Sequence, residues 1–109
     1  MAGQHIDWEA QRELPDSGLS AHAFLIEQLL PDIRAAIEAD GLASLTVILP
    51  VAPSEHDAWR RALAGDLARE YAPKRVNIAA GERGKPLDTL CSFLRDAPGV
   101  TGHYVQAHD

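Results

Sequence analysis

Cysteine is nearly missing from this sequence. Cys91 stands alone among 109 residues, so no internal disulfide can form and nothing points to an oxidising compartment. Basic residues are also few, 10 Lys and Arg against 16 Asp and Glu, for a formal charge of −6. A phosphate-backbone partner is met by clustered cations, and the two basic pairs, Arg60-Arg61 and Lys74-Arg75, are diluted by Asp57, Asp66 and Glu70. No nucleic-acid partner is expected. Long apolar runs are absent too: none approaches the ~18 residues of a membrane span, so no membrane partner is expected. The opening Met-Ala-Gly-Gln-His-Ile-Asp lacks a basic stretch followed by an apolar one, so no signal peptide is expected and the cytoplasm is the default compartment.

What remains is an ordinary globular composition, 46% hydrophobic and 24% charged, long enough for one domain. Residues 1–17 are polar and end in Leu-Pro-Asp-Ser-Gly, a turn composition in which His5-Ile-Asp-Trp8 reads as a weak edge strand. From Leu19 to Ala39 apolar residues recur at helical spacing, with Leu25, Leu29 and Ile33 on one stripe and Leu30 and Ile37 beside it. Ser17 or Ser20 suits the cap, Gly41 suits the exit, and Pro31 inside the helix should kink it or cost a hydrogen bond. Leu45–Val51 is a continuous β-rich run, the pattern of a strand buried on both faces. Ser54-x-x-Asp57 resembles a capping box before a helix from about Glu55 to Tyr71, striped by Trp59, Leu63, Leu67 and Tyr71. Arg75–Ala79 is the next strand. Pro86 opens a third helix with Leu87, Leu90 and Leu94, and Gly102–Ala107 is the last strand. Strands alternating with helices predict parallel β-α-β units with right-handed crossovers, an α/β fold.

Three phrases carry a family resemblance. Asp66-Leu-Ala-Arg-Glu-Tyr-Ala-Pro73 followed by Arg75-Val-Asn77 is similar to a run found in short-chain dehydrogenase/reductases, between the helix of the catalytic Tyr and Lys and the next strand. Phe93-Leu-Arg-Asp-Ala-Pro-Gly-Val-Thr-Gly-His-Tyr-Val105 resembles that family's closing segment, and Phe24-Leu-Ile-Glu-Gln-Leu-Leu-Pro31 resembles its long dimerisation helix. The chain from 18 to 109 thus looks like the second half of such an enzyme. The resemblance implies a truncated Rossmann-like domain: a parallel sheet of three or four strands with two long helices on one face.

The same resemblance exposes what is missing. The family's coenzyme half begins with a Gly-rich turn at a helix N-terminus, and no such turn occurs here. Pro50 stands where the resemblance places the catalytic Ser. Pro53 and Asp57 fall near the Tyr and Lys, about Gly18 replaces the Asn, and no Tyr or Lys lies between Gly41 and Gly65. A proline cannot deliver a proton, nor an aspartate lower the pKa of a tyrosine as a lysine does. No catalytic residues, cofactor or metal site are therefore expected.

The remaining candidate groups carry weaker signatures. The histidines His5, His22, His56, His103 and His108 show no ligand spacing, and Cys91 in a helix reads as a packing thiol. Gly81-Glu-Arg-Gly84 follows a strand and precedes a helix, so Gly81, Arg83, Gly84 and Lys85 form a possible anion-binding loop, the basis of an alternative function as a nucleotide- or anion-sensing regulatory domain. The favoured function is association. The long helix is apolar on more than one stripe, and the second adds the small residues Ala58, Ala62 and Gly65. The expected interface is Leu25, Leu29, Ile33, Ala58, Ala62, Gly65 and Arg69, joining the chain to a second copy or to a full-length short-chain dehydrogenase. The strand Leu45–Val51 needs cover on its open side, from His5–Trp8 or from a partner.

Overall fold

The aliphatic run after Gly41 forms the inner part of the sheet. In the computed structural model, which describes residues 3–108, the strands are β1 (Gln4–Glu9), β2 (Leu42–Leu49), β3 (Arg75–Ala80) and β4 (Tyr104–Gln106). All pair in parallel, in the order β1-β2-β3-β4. One row crosses the whole sheet: Trp8, Val47, Ile78 and Tyr104 are successive partners. The weak signal at His5–Trp8 is thus a full strand, and it lies along β2 as the open side required.

Alternation along β2 sends Leu45, Val47 and Leu49 to one face and Thr46 and Ile48 to the other. The first face is covered by α1 (Gly18–Phe24), α2 (Leu30–Ile37) and α3 (Asp57–Glu70), the second by α4 (Lys85–Asp96). The strands advance across the sheet in one direction, yet α4 lies opposite the helices of the first two crossovers. The β3-α4-β4 connection therefore has the opposite hand to its predecessors, an uncommon arrangement for a parallel unit.

The long helix resolves its proline by changing register. Between α1 and α2, Leu25–Leu29 forms a π-helical turn, and the Leu30 N–H donates to the Leu25 carbonyl five residues back. Pro31 then occupies the first turn of α2, where its missing N–H costs nothing. Ser17 Oγ accepts from the Ser20 N–H at 3.1 Å and caps the start. Gly41 leaves the helix with φ +80°, a backbone that other residues adopt only with strain. Ser54 makes no side-chain cap: Ser54–His56 is a short 3-10 turn that leads into α3, so the expected capping box does not form.

Leu25, Ile33 and Ile37 are fully buried, and each contributes about 1.5–3 kcal/mol through burial. Ile6 and Trp8 of β1 pack against the same core, so the fourth strand supplies the surface that the long helix covers. Among the described residues no helix is long and apolar enough to cross a membrane.

Candidate functional site

Ligands of open α/β sheets sit beyond the carboxyl ends of the strands. At that end of β2 the chain turns through Pro50, which is exposed, and Pro53, which opens the turn before α3. Asp57 begins α3 and its Oδ1 accepts from Gln106 Nε2 at 3.1 Å, so its carboxylate ties α3 to the end of β4. Gly18 begins α1, and its N–H donates to Glu55 Oε2 at 3.2 Å. A Cβ at Gly18 would stand 2.9 Å from the Glu55 carbonyl oxygen, so the backbone there leaves no room for a side chain. His56 is buried between. Trp59 Nε1–H donates to its Nδ1 at 3.1 Å, which leaves the proton on Nε2, 2.8 Å from the Asp16 carbonyl. The imidazole is a clip between the N-terminal segment and α3.

The order of strands and helices and the run leading into β3 agree with a comparison of the sequence with known families: the family model for short chain dehydrogenase-like protein, SDR-like, matches residues 10–107. The chain belongs to this SDR-like family. No curated protein and no solved structure matches it. The resemblance places the family's catalytic Ser at Pro50 and its Tyr, Lys and Asn near Pro53, Asp57 and Gly18.

The expected interface residues divide into two sets. Leu25, Leu29 and Ile33 belong to the chain's own core, so they are not available to a partner. The physical reason is β1: with a fourth strand to cover, the innermost stripe of the long helix packs on the sheet. The outward residues of that helix are Leu19, 83% exposed, and Ile26, 41% exposed, with Leu30 half-buried beside them. Ala58, Ala62 and Arg69 of α3 are exposed, as expected. Gly65 is half-buried. A Cβ there would meet the Arg69 guanidinium at 3.3 Å, and its Cα lies 3.8 Å from where one at Gly102 would stand. Gly102, with φ +78°, brings the chain against α3 just before β4, so part of the small-residue line serves the fold itself.

Between the two outer helix surfaces runs an open groove of about 550 Å³ lined by Ile26, Leu30, Leu63, Leu67 and the charged residues Arg34, Asp66, Arg69 and Glu70. Arg34 pairs with Glu70 and donates to the Tyr71 hydroxyl at 2.7 Å, and these contacts hold its guanidinium above its ordinary pKa. Tyr71 in turn donates to Glu38 at 2.8 Å. Its hydroxyl is pushed up, first by burial and then by that carboxylate. Arg69 pairs with Asp66.

The Gly81–Gly84 loop has local duties. Arg83 donates to Glu9 Oε1 at 3.0 Å, and a Cβ at Gly81 would press on Ala107 at 3.0 Å. Gly84 and Lys85 are exposed at the start of α4, where no side chain caps the helix. Cys91 is buried against Leu87 and Leu94, and burial together with Asp7, Asp88 and Glu9 pushes its thiol up to about 11.

Sequence reasoning missed a polar chain at the opposite end of the sheet. His5 Nδ1 lies 2.6 Å from Ser44 Oγ, and His5 Nε2 lies 2.8 Å from Asp7 Oδ1. The residue types suggest nucleophilic catalysis, but Ser44 is 3% exposed and lines none of the described cavities, so the chain fastens β1 to β2. Lys74 and Arg75 were also missed as caps. Lys74 donates to the Ile37 carbonyl at the end of α2, while Arg75 donates to the carbonyls of Leu94, Arg95 and Ala97 at the end of α4. Two cations in succession at a strand's entrance reach opposite faces, and each meets a helix C-terminus there.

Proposed function

We propose that this SDR-like chain works by association rather than by catalysis, pairing with a second copy through the outer surfaces of α1, α2 and α3. The observation that carries the first half is the set of residues at the matched positions. Hydride transfer in this family, as the resemblance implies, needs a hydroxyl, a phenol and an ammonium. Pro50, Pro53 and Asp57 supply none of them, and Gly18 has no room for an amide side chain.

The second half rests on the outer helix surface. Leu19, Ala23 and Ile26 point outward on the long helix, opposite exposed Ala58 and Ala62 on α3. The groove beside them carries both signs, Arg34 and Arg69 with Asp66 and Glu70. A two-fold axis through such a surface would bury the same apolar residues on both copies at once. An ordinary interface covers about 800 Å² per partner, and the charges of the groove would form its wet rim. A full-length short-chain dehydrogenase is the other partner proposed for this surface.

The test combines mass and activity. Ile26→Glu and Ala62→Glu put like charges across the axis and should turn a dimer into a folded monomer, whereas Glu82→Arg, in a distant loop, should leave the mass unchanged. Reduction of a panel of carbonyl compounds with nicotinamide cofactors should stay at background. Turnover above background would end the non-catalytic reading, and unchanged mass in both glutamate variants would end this interface.

A further inference from the structure

The two rims of the sheet differ in what they leave unpaired. β4 is three residues long, so it offers little edge to a further strand. β1 is six residues long, and no described strand lies along its outer side. The Gln4 N–H donates to the Gly41 carbonyl and the Ala10 N–H to the Ile48 carbonyl, so the even-numbered residues of this segment turn their backbone to β2. Alternation then turns the N–H and C=O groups of His5, Asp7 and Glu9 outward. No proline interrupts this row, and the register shift of the β1–β2 pairing falls before it, between Gln4 and His5.

The side chains along the edge select what can pair with it. On one face Ile6 and Trp8 are half-buried against the core. On the face of α4 stand Asp7, which is exposed, and Glu9, and an open cavity of about 250 Å³ lies there, lined by both together with Asp88, Cys91, Arg83 and Arg95. Both arginines are already paired, Arg83 with Glu9 and Arg95 with Asp96. Asp7 gives one oxygen to His5 and Glu9 gives one to Arg83, so each keeps a second oxygen without a partner among the described residues. The carboxylates prevail in this corner: after burial, Asp7, Asp88 and Glu9 are what push the Cys91 thiol up. A second copy of β1 would bring one such set of carboxylates against another, and like charges opposite each other destabilise a strand pair. A basic strand meets no such penalty.

We propose that the open edge of β1 takes up an extended segment of another protein in which basic and apolar residues alternate. Its backbone bonds to His5, Asp7 and Glu9, its basic side chains lie over Asp7 and Glu9, and its apolar ones lie beside Ile6 and Trp8. In strand addition of this kind main-chain bonds supply the hold and alternate side chains supply the choice. Neighbouring strands are about 4.8 Å apart, which puts a lysine or arginine of the added strand within reach of the free carboxylate oxygens. The edge is separate from the outer helix surface, and the proposal does not rest on the association reading: monomer and dimer alike would take up the segment.

The test adds the end-blocked peptide Lys-Val-Lys-Val-Lys to the full chain and follows amide hydrogen exchange residue by residue, with Glu-Val-Glu-Val-Glu as the control. The lysine peptide should protect the amides of His5, Asp7 and Glu9 saturably and leave those of Ile6 and Trp8, which already face β2, unchanged. Added salt should weaken the effect. Asp7→Lys should weaken binding of the lysine peptide at least about tenfold. Asp7→Pro removes an outward N–H while sparing the β2 pairing, so a folded chain carrying it should no longer take up the peptide. If the proline variant does not fold, Asp7→Lys decides. The proposal is overturned by a parent chain in which the lysine peptide adds no protection, by equal protection from the glutamate peptide, or by an Asp7→Lys chain that binds the lysine peptide as the parent does. Protection of the His5, Asp7 and Glu9 amides in the free chain would also overturn it, because a copy of the chain would then already fill the edge.

Discussion

The two ends of the sheet are built on different principles. At the amino ends of the strands most buried polar groups have partners, Thr46 Oγ1 excepted. Asn77 donates to the Val100 carbonyl and accepts from the His103 N–H, Arg75 caps α4, and His5 and Ser44 bond to each other. At the carboxyl ends the chain leaves β2 through Pro50, an open cavity remains, and the buried Arg60 keeps its Nε–H unmet. Satisfied polar networks fix a fold, whereas a buried donor without a partner costs stability. Substitutions should therefore hurt stability at one end and spare it at the other.

The largest expected effect is at Asn77. Asn77→Ala leaves a part-buried carbonyl and a part-buried N–H without their partner and should cost about 2 kcal/mol in urea unfolding, with the slope unchanged. Next is Ser44→Ala, which removes the His5 partner just after the register shift of the β1 pairing and should cost about 1 kcal/mol. A loss at Ser44 equal to that at Asn77 would mean that β1 is as deeply integrated as β3. The smallest effect on stability belongs to Arg60→Met, near zero or slightly favourable, because methionine places no unmet donor there. A loss comparable to that of Asn77→Ala would erase the difference between the two ends.

Cys91 sharpens the comparison through pH. Its thiol is raised to about 11, so the neutral form dominates at ordinary pH and the reactive thiolate is rare. Alkylation by iodoacetamide should be slow at neutral pH and rise about tenfold per pH unit until pH approaches that value. Fast labelling at neutral pH would show that α4 opens readily on the second face of the sheet.

Much of this was legible in the sequence. The aliphatic run of β2, the alternation of β3 and the stripes of α3 and α4 lie where periodicity puts them, because burial on both faces or on one stripe leaves a strong pattern. β1 was faint because one of its faces carries His5, Asp7 and Glu9 and only Ile6 and Trp8 signal the core. The orientation of the long helix was misread for a related reason. Two apolar stripes were visible, and only the surface that β1 adds decides which one turns inward. Arg60 was hidden by its neighbour Arg61: a basic pair reads as surface, and nothing in spacing reveals that one of the two is buried beside Trp59. His5 and Ser44 are 39 residues apart, so no local motif joins them.

Sedimentation equilibrium of the unmodified chain at tens of micromolar tests the association reading most directly. The account predicts a mass of twice 11.8 kDa, falling to the single-chain value in Ala62→Glu. A clean monomer at that concentration would contradict self-association and leave the outer helix surface to a different partner.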